Sequence, residues 1–215
     1  MPRRIIIYFL VVICTLMTSC SDMNELYKPK ISEMPLSGQY TKKSAIFPSF
    51  DSVSVRGPIN LNIHNEVNQR NPALTRIVLS GDSGLINAIT YYVQGNTLTM
   101  FVNPYFTYNP NFRVNADLYL PDIDRIYSEG PGHVTATGLM QPHLRLIMNG
   151  SGYAFVAGRV DRYEATLTGT ARLNAKCLYS RMIFVNTTGK AQAEILTVTD
   201  GVSALAAGNS DIYYY

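Results

Sequence analysis

The chain has 215 residues, 47% of them apolar and 15% charged, with 15 Gly, 11 Pro, 15 Tyr and no Trp. That composition excludes a disordered protein, a collagen and a coiled coil, and it allows one ordinary domain or two small ones. The formal charge of +3 falls to 16 basic against 15 acidic residues once Arg3 and Arg4 are set aside with the N-terminal segment, so nothing supports binding to nucleic acid.

Residues 1–19 read as a lipoprotein signal peptide. Arg3 and Arg4 precede an apolar run from Ile5 to Met17, shorter than the roughly 20 residues a membrane-spanning helix needs. The run closes on Leu16-Met17-Thr18-Ser19-Cys20, which resembles the lipobox of bacterial lipoproteins. That resemblance implies cleavage before Cys20 and its acylation, hence a lipid anchor in the membrane. Ser21 after the Cys resembles the outer-membrane sorting signal of Gram-negative lipoproteins, on the periplasmic face or the cell surface. An ordinary secretory signal with an incidental Cys is the alternative. Residues 20–47, with Pro29, Pro35 and Gly38 and no sustained periodicity, read as the lipidated Cys and a flexible tether.

From Phe50 onward, period-two alternation dominates, with many Val, Ile, Thr and Tyr, and points to an all-β domain over 48–215. Phe50-Asp51-Ser52-Val53-Ser54-Val55 and Ile59-Asn60-Leu61-Asn62-Ile63 alternate apolar and polar residues. Gly95-Asn96 makes a turn into Thr97-Leu98-Thr99-Met100-Phe101-Val102.

The segment 103–112 is the least ordinary. It carries Tyr105, Phe106, Tyr108 and Phe112 between Pro104 and Pro110, a semi-rigid loop between strands. Exposed, these aromatics suit glycan stacking or a protein contact; folded back, they cap the first turn of the domain.

The second half repeats. Gly130, Gly150, Gly169, Gly189 and Gly208 are spaced 20, 19, 20 and 19 apart. Two positions after each stands Gly132, Gly152, Ala171, Ala191 or Ser210. Four positions before stands Ile126, Leu146, Ala165, Val185 or Ala204, and four after stands Val134, Ala154, Leu173, Ala193 or Ile212. A unit of this length cannot bury its apolar side alone, but stacked units make a continuous core. The repeat predicts a β-solenoid with about 19–20 residues per coil; a meandering antiparallel sandwich is the rival. The last unit ends in Ile212-Tyr213-Tyr214-Tyr215. Such an ending leaves an edge for self-association or for a partner, with Tyr213 and Tyr215 on one side, unless the tyrosines cap the coil themselves.

These motifs, with Leu120-Pro121-Asp122-Ile123, Glu129-Gly130-Pro131-Gly132 and Asn149-Gly150-Ser151-Gly152, resemble the auto-transporter adhesin head GIN domain family over about residues 47–215. The resemblance implies a right-handed parallel β-helix on an exported or lipid-anchored protein, and it carries over no catalytic residue.

No catalytic motif, cofactor fingerprint or metal-ligand spacing is present. Asp161 and Asp200 fall at matching loop positions with Ser180 between them and read as solvated acids. Cys177 reads as a buried, inert thiol. The expectation is a non-enzymatic, adhesin-like or scaffold lipoprotein that binds an envelope protein or a glycan, with no cofactor and no metal. Its candidate binding residues are Tyr105, Phe106, Tyr108, Phe112, Tyr213 and Tyr215. A polysaccharide-active enzyme on a parallel β-helix is the alternative.

Overall fold

A computed structural model describes residues 32–34, 36–65, 74–103, 105–107, 109, 111–196 and 200–215. Cys20, the apolar run before it and Tyr108 lie outside these residues. The strands are β1 (Ser32–Glu33), β2 (Tyr40–Pro48), β3 (Ser52–Arg56), β4 (Ile59–Asn65) and β5 (Leu74–Asp82). A helical turn α1 (Ser83–Asn87) follows, then β6 (Ile89–Gln94), β7 (Thr97–Val102), β8 (Phe106–Thr107), β9 (Val114–Leu120) and β10 (Arg125–Gly130). The repeat region supplies β11 (Val134–Gly150), β12 (Tyr153–Gly169), β13 (Arg172–Gly189), β14 (Gln192–Ile195), β15 (Gly201–Gly208) and β16 (Asp211–Tyr214). The fold is all-β, and fourteen of these strands form one mixed sheet.

The repeat sets the register of that sheet. Ile126, Leu146, Ala165, Val185 and Ala204 are successive partners in parallel ladders. So are Val134, Ala154, Leu173, Ala193 and Ile212. Leu139, Gly158 and Leu178 form a third row beyond a register shift. The apolar members of these rows are buried up to the last coil, as period-two alternation requires. The corner glycines stack on one another at φ between +74° and +125°. A side chain is excluded there twice over, by conformation and by space.

The column extends one step further than the repeat suggests. Gly57 (φ +109°) lies beneath Gly130, and a Cβ on Gly132 would sit 2.1 Å from the Ile59 carbonyl oxygen. β3 and β4 therefore form a coil in register with β10 and β11, Val53 beside Ile126 and Leu61 beside Val134. On their other side lie β7 and β9, again parallel, with Val53 beside Leu98 and Leu61 beside Ala116. The earliest coil in the chain thus sits between two later ones.

At that end the parallel order stops. Gly95 (φ +58°) turns β6 back antiparallel onto β7. β5 runs antiparallel to β9, and β2 antiparallel to β5. A single parallel winding over 48–215 does not describe this half. The tight Gly95-Asn96 hairpin forces antiparallel neighbours, and the sheet is mixed. The expected tether is corrected too: its residues 40–47 belong to β2, whose Phe47 packs against the core.

Gln141 is buried and closes the crossover that precedes the repeat. Its amide donates to the carbonyls of Ile123 and His143 and accepts from the Ile123 N–H. Tyr163, at a core position, is wholly buried, and its hydroxyl has no hydrogen-bond partner. Burial pushes that phenol far above its ordinary range.

Candidate functional site

The aromatic loop departs from the stack where other coils have a two-residue glycine corner. Arg56 pairs with Phe101 and Ile59 with Val114. The chain that elsewhere spans Gly57-Pro58 here spans Val102 to Arg113.

Two turns of the same construction build the loop. The Asn103 side-chain oxygen accepts from the Tyr105 N–H at 3.0 Å, and the Asn103 carbonyl from the Phe106 N–H at 2.9 Å. The Asn109 side-chain oxygen accepts from the Asn111 N–H at 2.9 Å, and its carbonyl from the Phe112 N–H at 3.1 Å. The sequence repeats with the geometry, as Asn103-Pro104-Tyr105-Phe106 and Asn109-Pro110-Asn111-Phe112. Asn accepting from two residues on, with Pro next to it, suits a tight turn. The two turns end differently. Phe106 is half-buried against the core, whereas Tyr105 is 56% and Phe112 44% exposed. Phe106 thus holds the loop to the core, and Tyr105 and Phe112 face solvent.

An arm lies against this loop. The Met34 N–H donates to the Thr107 carbonyl at 2.9 Å. Three residues on, Asp82 holds the arm to α1. Its carboxylate accepts from the Ser37 and Gly38 N–H groups at 3.0 and 2.7 Å, and from the Gly84 N–H at 2.8 Å. These hydrogen bonds, that from Ser37 first, keep its pKa below the ordinary carboxylate value. Between arm, loop and α1 lies a cavity of about 490 Å³, lined by Glu33, Met34, Leu36, Leu85, Thr107, Asn109, Asn111 and Phe112.

The C-terminal candidates lie at the opposite end of the parallel stack. Tyr213 pairs in register with Glu194, and the Tyr215 N–H donates to the Ile195 carbonyl at 3.0 Å. Both rings are exposed, and Lys176 Nζ stands 4.8 Å from the Tyr215 ring centre. The residues that continue the core rows are instead Val202, Ala204, Ala206, Ile212 and Tyr214. All eight residues of β15 are exposed. Among the described residues, β15 and β16 form the last layer of the stack, with an edge strand exposed.

Asp161 and Asp200 both act on Arg181. Arg181 donates to Asp200 at 2.9 Å. That hydrogen bond, then the charges of Asp200 and Asp161, raises its pKa. Cys177 is exposed rather than buried, because the register shift between Phe155 and Ala157 makes its neighbour Leu178 the inward member of the third row and turns Cys177 outward. The histidines are engaged elsewhere. His64 contacts Asp117 at 3.2 Å and stacks on Tyr119, His133 packs edge-on to Tyr153, and His143 lies 3.8 Å from Glu164. Among the described residues, no group of three or more His, Cys, Asp or Glu is placed to hold a metal ion.

The family model described as "Putative auto-transporter adhesin, head GIN domain" matches residues 49–215. The chain belongs to this family. The head GIN domain of this protein is similar in structure to a "putative adhesin" from Bacteroides fragilis, at 12% identity and a TM-score of 0.58, covering 83% of this chain and 98% of the other. A "putative lipid binding protein" from Parabacteroides distasonis gives 12% identity, a TM-score of 0.50, and coverage of 84% and 98%. At these identities the likeness concerns the fold. No curated protein sequence matches the chain. What the sequence did not signal is the cavity: Glu33, Met34 and Leu36 sit in the stretch read as tether, and only the Asn-Pro doublets mark the turns beside them.

Proposed function

We propose that this protein is a non-enzymatic, adhesin-like lipoprotein of a Gram-negative envelope, with its head GIN domain presented for binding. In this reading Cys20 carries the lipid, and the residues between Cys20 and the arm that begins at β1 set the domain off the outer membrane, on its periplasmic face or at the cell surface. The domain itself is a right-handed parallel β-helix of 19–20-residue coils, closed at one end by antiparallel strands. The in-register offsets of the glycine column support that geometry. The partner is a glycan or an envelope protein, and the open C-terminal edge serves self-association.

The observation that carries the binding reading is the pair Tyr105 and Phe112, held in solvent by a loop whose two turns are closed by their own Asn side chains. Ordering such side chains in advance lowers the entropy cost of binding. The Arg181 neighbour of Asp161 and Asp200 supports a structural role for those acids rather than catalysis.

The test has two arms. Cys20→Ala should move the protein from the membrane pellet to the soluble fraction after a high-salt wash. Cells expressing the full chain should adhere to a glycan- or protein-coated surface more than cells expressing the Tyr105→Ala/Phe112→Ala variant. Equal adhesion by the two would overturn the binding reading.

A further inference from the structure

We propose that the cavity between the 33–36 arm, Leu85 and the aromatic loop is a binding site for one neutral saccharide unit, with Phe112 as its stacking platform. The proposal rests on the adhesin-like reading and names the ligand class of that surface.

The volume comes first. About 490 Å³ lies within the roughly 300–1,000 Å³ of small-ligand sites. The lining then argues for a sugar. Its described lining combines apolar side chains (Met34, Leu36, Leu85, Phe112) with polar ones (Glu33, Thr107, Asn109, Asn111). A pyranose has the same two-sidedness: one face of C–H groups that lies on an aromatic ring, and a rim of hydroxyls that needs donors and acceptors. A fatty acyl chain would leave the polar side chains without partners, which costs free energy on burial.

Charge narrows the class. Among the described residues that line the cavity there is no Lys, Arg or His, and Glu33 is the ionisable one. A uronic or sialic acid would bring its carboxylate towards Glu33, with no cation among those residues to receive it. A neutral hexose or N-acetylhexosamine meets no such penalty, and Glu33 can accept from its hydroxyls in a charge-assisted bond.

The paired turns explain why Phe112 rather than Phe106 serves. Both close the same Asn-x-x-Phe hydrogen bond. Phe106 is spent on the core, and the second turn repeats the device six residues later to hold Phe112 beside the cavity. An aromatic ring kept 44% exposed by two hydrogen bonds in its own turn is pre-oriented for a ligand face.

The experiment is saturation-transfer NMR and calorimetric titration of the full chain, kept in a detergent without a sugar headgroup. The probes are N-acetylglucosamine, lactose, maltose and glucuronic acid. At least one neutral probe should bind with a millimolar or tighter Kd, and glucuronic acid should bind at least tenfold more weakly. Phe112→Ala should weaken the neutral probe at least tenfold with an unchanged melting temperature, and replacing Tyr179, an exposed aromatic on β13, by Ala should leave it unaltered. Equal losses from Phe112→Ala and Tyr179→Ala, or tighter binding of glucuronic acid, would overturn the proposal. Absence of all sugar binding with adhesion still dependent on Tyr105 and Phe112 would overturn the saccharide site and leave the adhesin-like reading standing. Loss of both would overturn the two together.

Discussion

Gly150 lies so close over Gly130 that a Cβ added to it would stand 2.9 Å from the Gly130 carbonyl oxygen. Gly38 shares the positive φ, at +69°, but has nothing within 4 Å of its Cβ position. The pair separates two reasons for glycine. Gly38→Ala should cost only the conformational penalty, about 1 kcal/mol. Gly150→Ala should cost several times more, because backbone of the neighbouring coil must move. Urea unfolding of both variants checks this, and equal costs would mean that stacking does not restrict the corner.

Tyr163 offers a variant that should gain stability. Its hydroxyl is buried without a partner, and an unsatisfied buried donor costs about 1–3 kcal/mol. Tyr163→Phe keeps the ring and removes the cost, so its melting temperature should match or exceed that of the parent. A clear fall would show that the hydroxyl does find a partner in solution.

Core rows should resist charge. Leu146 and Val185 are fully buried partners of Ala165 in neighbouring coils. Either residue replaced by Asp should prevent folding, since an unpaired buried charge costs several kcal/mol. Circular dichroism of the soluble fraction is the readout.

The acid side of the stability curve should depend on Glu164. The hydrogen bond from Arg162 at 2.7 Å, followed by the charges of Arg162, His143 and Arg145, lowers its pKa below the ordinary 4.5 against the opposing effect of burial. A lowered folded-state pKa gives stability that is present above pH 4.5 and lost as the pH falls through the folded value. Glu164→Gln should therefore flatten the fall in melting temperature between about pH 5 and pH 3 and leave its slope above pH 6 unaltered.

The arm at the cavity should loosen when Asp82 is changed. Asp82→Asn turns one acceptor oxygen into a donor facing the Ser37 and Gly38 N–H groups. Hydrogen exchange at Ser37 to Gln39 should rise at least tenfold, with the strands of the repeat unaffected.

Much of the second half was legible because one signal was redundant. Each coil repeats its corner glycine, its small residue and its two apolar positions, so Leu146, Leu173 and Val185 could be placed inward without a structure, and they are buried. The first half was not, because its neighbours in space are not neighbours in sequence. Gly57 belongs to the glycine column, yet Gly130 follows it 73 residues later, and no fixed period connects them. β2 escaped notice for a different reason. As an edge strand its outer residues Lys42, Ser44 and Ile46 are all exposed, so burial does not impose a clean alternation on it. In the site, the aromatics of the loop were visible as composition, but only Phe106 against the core tells which of them anchors and which are presented. Cys177 was misplaced by one local register shift, which reverses the inward and outward positions from Cys177 to Ser180, before two exposed residues, Arg181 and Met182, restore them.

The position of β3 and β4 between two later coils has a consequence for how the molecule is made. A chain emerging from the ribosome exposes residues 52–65 well before the segments 97–120 and 125–146 that flank them on either side. Closing those loops is the entropically expensive step, and it must come before the layers next to it are complete. From Gly150 onward each added turn meets a finished neighbour about twenty residues back, so growth there is local and fast. Folding should therefore nucleate late and then run in one direction, toward the C-terminus. Chains shortened from that end should lose their layers one at a time, whereas a defect in the 52–65 coil should stop the whole domain from forming.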